Sequence, residues 1–171
     1  NFTLKFDDKI GSIQQILTAT NVGILRRQAI IKELNLKKGQ TVIDIGCGGG
    51  HLVEEISMCI GSSGKAIGVD PSEFQIKTAK ERCKNLPNVQ FLCSNASDIN
   101  IDKSSCDAVT FTQTLEYIDD VDEALFVAKK LQKPKSIFVN VSTLWDFFGF
   151  HGPEKELNDM MHKIYLSQKH P

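Results

Sequence analysis

The run from Thr41 to Leu52, TVIDIGCGGGHL, constrains the fold of this chain more than any other stretch. It reads as a short apolar strand carrying an acid, then a glycine-rich turn, then the start of a helix. The β-branched residues from Thr41 to Ile45 suit a strand buried on both faces, as in the middle of a parallel sheet. Gly46, Gly48 and Gly50 lack a Cβ, so the backbone can turn sharply and a ligand can lie against the main chain. Helix N-terminal amides beyond the turn would add donors and a partial positive charge. A phosphate loop would need a Gly-Lys-Ser or Gly-Lys-Thr ending, and no such lysine follows. The dinucleotide fingerprint fails too, because His51 and Val53 sit where its third glycine would fall. What remains is Asp44-x-Gly46-x-Gly48-x-Gly50, a pattern that purely structural turns also produce, so the downstream chain decides.

Downstream, apolar strands alternate with helical patterns. Ile24 to Leu34 reads as a helix with Ile30, Ile31 and Leu34 on one side and Arg26, Arg27, Lys32 and Glu33 facing water. Val53, Ile56 and Ile60 fall at helical spacing, and Gly61-Ser62-Ser63-Gly64 ends that helix. Strands are expected over Ala66 to Val69, Val89 to Cys93, Asp107 to Thr112 and Ser136 to Val141. Ser72-Glu73-Phe74-Gln75 has the capping-box pattern, opening a helix whose Ile76, Ala79 and Cys83 face inward. Val121, Ala124, Leu125, Ala128 and Leu131 mark another, with Asp119, Asp120, Asp122 and Glu123 at its positive end. A last helix is expected over Glu154 to Leu166. Strands and helices alternating at this spacing predict an α/β, doubly wound, mostly parallel Rossmann-like sheet with helices on both faces. Ligands of such sheets bind outside the carboxyl ends of the strands, beside the first strand.

The 171 residues are read as a single domain, with residues 1–22 as an N-terminal arm and 142–171 as a substrate-side loop and helix. Phe2, Leu4 and Phe6 alternate like a short strand at the start of that arm. A net charge of −1 argues against DNA as a partner. The five cysteines are odd in number and have no metal-ligand or redox spacing, so neither a metal nor a disulfide framework is expected, and a reduced, cytoplasmic setting is. No apolar run approaches the length of a membrane span.

Asp70 ends the second strand, where a carboxylate can accept both hydroxyls of a ribose lying over the glycine turn; a helix-capping acid before Pro71 is the plainer alternative. Asn95 and Ala96 follow the third strand, and Thr112-Gln113-Thr114-Leu115-Glu116-Tyr117 follows the fourth. With the glycine turn, these motifs stand in the order of the class I S-adenosylmethionine-dependent methyltransferases. From about Leu34 to Val141 the chain resembles that family, nearest its small-molecule group with the quinone-biosynthesis enzymes. The resemblance implies S-adenosylmethionine as cofactor, held by Asp44, Gly46, Cys47, Gly48, Gly50, Asp70, Pro71, Asn95, Ala96, Thr112 and Gln113. Asn95 and Ala96 would read the adenine, and the segment after the fourth strand would underlie the methionine part. Family members usually carry Gly-Gly after the proline before strand five, where this chain has Lys135-Ser136. Their sheet normally finishes with two further strands, for which no counterpart is expected after strand five, so a truncated carboxyl end, or a sheet edge covered by the final helix, an oligomer or a partner, is expected.

The implied reaction is an in-line methyl transfer to a small-molecule acceptor, with reacting atoms aligned at about 3–3.5 Å. The aromatic stretch Trp145 to Phe150 would wall an apolar or aromatic acceptor, or else plug the last helix onto the sheet. Tyr117, Asp146 and His151 are the candidates to bind or deprotonate the nucleophile. Two rival functions remain: a non-catalytic S-adenosylmethionine-binding regulatory module, and a partner-dependent RNA methyltransferase.

Overall fold

The structure, a computed structural model, describes residues 8–143 and 154–166. Five strands form one sheet: β1 (Thr41–Ile45), β2 (Lys65–Asp70), β3 (Val89–Cys93), β4 (Cys106–Thr112) and β5 (Gln132–Val141). Their order is β3-β2-β1-β4-β5 and every pairing is parallel. The expected doubly wound sheet is therefore present, and its strand order reverses between β1 and β4. Six α-helices accompany it among the described residues: α1 (Asp8–Ala19), α2 (Asn21–Leu34), α3 (His51–Ile60), α4 (Glu73–Arg82), α5 (Val121–Leu131) and α6 (Lys155–Leu166), and a 3-10 turn spans Leu115–Tyr117.

Alternate residues of each central strand feed two cores. Val42 and Ala108 pack with Ile30 and Leu34 of α2 and with Leu52, Val53, Ile56 and Ile60 of α3. Ile43, Ile45, Val109 and Phe111 pack with Val127, Ala128 and Leu131 of α5 on the opposite face. Each Val, Leu, Ile or Phe among them, taken fully from water, contributes about 1.5–3 kcal/mol. Burial on both faces explains why β1 and β4 read as continuous apolar runs.

The amino end departs from the expectation of an arm. Residues 8–19 are helical, and residues 1–7, with Phe2, Leu4 and Phe6, lie outside the described residues. The helix α1 is amphipathic in an inverted sense: Gly11 is buried and Gln14, Gln15 and Thr18 are half-buried, while Ile13, Ile16 and Leu17 are exposed. Thr20 then caps α2, its hydroxyl accepting from the Gly23 amide. Arg27 does not face water as its place in the sequence suggested. It is buried, its Nε donating to Glu55 Oε1 at 2.6 Å and its guanidinium to the Thr18 carbonyl. A buried guanidinium is tolerated because both a charge and a carbonyl meet it.

The strand β5 starts earlier than Ser136, at Gln132, and bulges away from β4 between the pairs Cys106–Gln132 and Ala108–Ile137. In the bulge Lys135 adopts φ +65°, the left-handed conformation for which glycine is the usual choice. Its side chain is exposed. Lys135→Gly is therefore expected to stabilise the protein by up to about 1 kcal/mol, the left-handed cost to a side-chain-bearing residue less the extra backbone entropy of glycine. A rise of about 2–4 °C in melting temperature would check it; a fall would show that Lys135 makes a compensating contact.

Candidate functional site

A cavity of about 620 Å³ lies at the carboxyl ends of the strands, beside the reversal in strand order. Its volume is that of a site for a nucleotide-sized ligand. Strand ends and the turns after them line it: Ile45 and Gly46 after β1, Asp70 to Ser72 after β2, Ser94 to Ser97 after β3, and Gln113, Thr114 and Tyr117 to Asp120 after β4. A second depression of about 550 Å³ runs along α4 and shares no lining residue with it.

The glycine turn is held rigidly from several sides. The amides of Gly46 and Cys47 both donate to the Val69 carbonyl, at 2.7 and 2.9 Å, and Gly50 N donates to Cys47 O. From α4, Arg82 Nε donates to the Gly49 carbonyl at 2.8 Å. Gly46 has φ +79°, and a Cβ there would lie 2.1 Å from Thr114 Oγ1, so glycine is what lets the segment after β4 close on the turn. Gly48 has φ +50°, and a Cβ there would meet nothing closer than Gln14 Oε1 at 3.9 Å. The space before Gly48 is open, at the edge of the cavity that Gln14 and Gln75 line.

Asp70 is tied to this turn directly. Its Oδ2 accepts from the Gly48 amide and its Oδ1 from the Ser72 amide, both at 2.9 Å. Burial raises its pKa above the ordinary carboxylate value, while those two amide donors pull the other way. Each oxygen keeps a lone pair for a hydroxyl. The capping alternative holds: Asp70 accepts from Ser72 N, and Ser72 itself caps α4 by accepting from Gln75 N. With four acceptor positions, the carboxylate can do this and still accept from a ligand.

Asp44 lies deeper, in the middle of the sheet and 2 % exposed. Its Oδ1 has no hydrogen-bond partner among the described residues, nor has Oγ1 of Thr110, its register partner on β4. Burial first, and then the charge of Asp70, push its pKa up to about 7. A buried carboxylate with an empty acceptor is an unfavourable arrangement unless a cation or donor completes it.

Of the residues expected from the sequence, Gly46, Asp70, Pro71, Asn95, Ala96, Gln113 and Tyr117 come together around the cavity. Asn95 is exposed in the turn closed by Asp98 N on its carbonyl, and its side-chain amide makes no hydrogen bond among the described residues. Others do not line it. Cys47 turns its thiol into the core beside Gly68, where burial drives its pKa upward, because its amide must face Val69 to complete the turn. Gly50 packs against α4, where a Cβ would lie 2.9 Å from that of Ala79. Thr112 is half-buried below the rim, its hydroxyl without a partner among the described residues. Asp146, His151 and the aromatic stretch around Trp145 lie outside the described residues.

Gln14 and Gln75 are among the contributors missed in the sequence. Gln14 of α1 lines the cavity, and it is held there by Gln75, which is 1 % exposed. Gln75 Nε2 donates to Gln14 Oε1 at 2.6 Å, while Gln15 Nε2 donates to Gln75 Oε1 at 2.7 Å. Polar residues on the buried side of a helix carry no hydrophobic signal; only their i, i+1 repetition in Gln14-Gln15 was there to notice.

Comparison with known proteins agrees with this geometry. A family profile described as a methyltransferase domain matches residues 36–168. A demethylmenaquinone methyltransferase from Staphylococcus carnosus is 32% identical over 117 residues, covering 68% of this chain and 48% of that protein. The chain spans about half the length of the curated relatives it matches. The crystal structure of an S-adenosylmethionine-dependent methyltransferase from Aquifex aeolicus is 25% identical and superposes with a TM-score of 0.74, covering 95% of this chain and 87% of that one. Coclaurine N-methyltransferase, solved with N-methylheliamine and S-adenosylhomocysteine, shares the fold at 18% identity and a TM-score of 0.62, covering 68% of this chain and 34% of its own.

Proposed function

The chain belongs to the class I S-adenosylmethionine-dependent methyltransferase family, and from that premise we propose that it transfers a methyl group from S-adenosylmethionine to a small, apolar or aromatic acceptor. The observation that carries the proposal is the pairing of Asp70, on the cavity wall, with the glycine turn, with the orphaned Asp44 Oδ1 buried in the strand that leads into that turn. These residues suit the cofactor's chemistry. Two carboxylates favour a cationic ligand, and a Cβ-sized group at Gly48 would meet no atom closer than 3.9 Å. The bound cofactor supplies an electrophilic methyl on a sulfonium.

What the chain supplies is placement. Asp70 offers acceptors to the ribose hydroxyls, with Pro71 against the same wall. Asn95 and the backbone at Ala96 take the adenine edge, while Gly46, Gln113 and Thr114 bound the methionine end. Thr112 supports that end from behind. Asp44 faces the cofactor's positive charge through the turn. The roles of Tyr117, Asp146 and His151 toward the acceptor belong to the same proposal, with Tyr117 already on the cavity wall. A small-molecule acceptor is favoured by the likeness to a demethylmenaquinone methyltransferase and by the aromatic stretch after β5.

The deciding assay follows transfer of labelled methyl from S-adenosylmethionine to a panel of quinols, phenols and amines, with RNA as a separate arm. Turnover on a small acceptor supports the reading. Binding of cofactor without transfer to any acceptor would point to the regulatory module, and transfer to RNA alone would replace the acceptor class. Within this reading Gly48→Val is expected to weaken S-adenosylhomocysteine binding more than about 100-fold, by filling the open space before the turn. A β-branched residue at φ +50° also costs about 1–2 kcal/mol of stability. Calorimetric titration beside a melting curve separates the two effects.

A further inference from the structure

The helix α1 stands with apolar residues outward, and the start of α2 repeats the pattern. Ile13, Ile16 and Leu17 fall at the i, i+3, i+4 spacing of one helix face and are 51%, 68% and 61% exposed. Val22 and Leu25, one turn apart on α2, are 66% and 64% exposed, and Ile24 beside them is 37% exposed. Only Thr20 separates the two helices, and the corner is tight. A Cβ on Gly23 would lie 2.2 Å from the Thr18 carbonyl oxygen and 3.0 Å from that of Leu17, so the two exposed rows adjoin there. No residue from Ile10 to Leu25 carries a charge.

Single apolar residues on a surface need no explanation, but a contiguous patch does. These six side chains show on the order of 600 Å² to water, at the upper end of the largest patch on a typical monomer, about 300–600 Å². One side of a standard interface buries about 800 Å², about 60% of it apolar, so the patch supplies the apolar share that a stable pair needs.

The chemistry of the patch selects its occupant. A two-fold pair sets one surface against itself, so charges of one sign on it would face their own kind. A charge-free stretch meets no such repulsion, and a net charge of −1 gives two whole molecules little reason to repel. A lipid surface is the other common cover for an apolar helix face, but helices that lie on membranes carry Lys or Arg along the opposite face. On α1 the opposite face is Gln14, Gln15 and Thr18, half-buried against the protein, with both glutamines bonded to Gln75.

We propose that the α1–α2 corner is the face through which two copies of this chain form a two-fold dimer. The second copy stands behind the helix that carries Gln14 to the cavity, and braces that wall from outside. The inference is independent of the methyltransferase reading, and its test involves no cofactor. The helix α6 shows another exposed apolar row, Leu157, Met160, Met161 and Ile164, but Glu156, Asp159 and Lys163 interleave it, so it serves as the control.

The test is sedimentation velocity of the whole chain from about 1 to about 100 μM, the range in which a micromolar pair assembles. The parent chain is expected to pass from monomer to dimer. Ile16→Gln with Leu17→Gln should stay monomeric, a loss of about 100-fold or more in pairing affinity, while Met160→Gln with Ile164→Gln pairs like the parent. Hydrogen exchange of the parent needs no variant: amides from Ile13 to Leu25 should exchange severalfold more slowly at the high concentration than at the low one. A parent chain that stays monomeric throughout overturns the proposal. So does a dimer that the α6 substitutions dissociate and the α1 substitutions do not, or one whose added protection lies outside Ile13 to Leu25. A monomer that pellets with vesicles of phosphatidylcholine and phosphatidylserine, and stops doing so on Ile16→Gln with Leu17→Gln, would give the face to a lipid surface instead.

Discussion

Asp70→Ala is expected to lower affinity for S-adenosylhomocysteine by at least about 100-fold. Each hydrogen bond from a ribose hydroxyl to a carboxylate is worth about 1.5–3 kcal/mol, and two are lost together. Truncation has a second consequence, because Asp70 also accepts from the amides of Gly48 and Ser72. Leaving those donors unpaired costs about 1–3 kcal/mol, so the melting temperature should fall by several degrees. Asp70→Asn keeps the shape and one acceptor oxygen, and should fall between the two proteins in both measurements. Near-native affinity in a folded Asp70→Ala protein would remove Asp70 from the ribose and leave it as a helix cap alone.

Asp44 is expected to make cofactor binding depend on pH. Its carboxyl titrates at about 7 because burial, and then the charge of Asp70, disfavour the ionised form. A cationic ligand prefers that ionised form, so affinity should rise about tenfold between about pH 6 and about pH 8, following the ionised fraction. Asp44→Asn should abolish this rise and bind weakly at both values. Stability moves in the opposite direction. The folded-state pKa is raised above the unfolded value of 3.8, so the native state holds a proton that the unfolded chain has released. The ionised group then costs stability progressively as pH climbs from the ordinary carboxylate range to about 7, and by a constant amount above it. Asp44→Asn, a neutral isostere, should therefore melt higher than the parent protein at pH 8 while binding cofactor worse. A pH-independent affinity in the parent protein would show that Asp44 does not sense the ligand.

Most of the architecture was legible because it is written in apolar periodicity. Of the residues that the pattern pointed inward, Val53, Ile56 and Ile60 of α3 and Ala128 and Leu131 of α5 pack in the two cores and Leu125 packs against one, while Val121 stays half-buried and Val127, which the pattern left out, packs with them. The turn was legible for a related reason: Gly46 and Gly48 both have positive φ, and no other residue type would occupy two such positions so close together at little cost. Asp70, Asn95 and Gln113 could be placed because each follows a strand, and a parallel sheet brings all its strand ends to one edge. Side-chain direction was not legible. Cys47 stands inside the motif yet turns into the core, since the amide of the same residue is committed to Val69.

The sequence by itself thus determined the sheet, the turn and the row of residues at the strand ends, all of which follow from local backbone preference and burial. Only the tertiary structure decided what closes over them. α1 buries Gly11, Gln14, Gln15 and Thr18 and leaves Ile13, Ile16 and Leu17 in water, the reverse of what its apolar pattern suggests. The reason is the surface beneath it: Gly11 rests on the ring of Phe74, and beside that ring the glycine turn and Gln75 offer amides, so a polar face that can hydrogen-bond is the one that fits. Arg26 came to Gln113 in the same way, across 87 residues of chain, through a contact that neither segment signals alone.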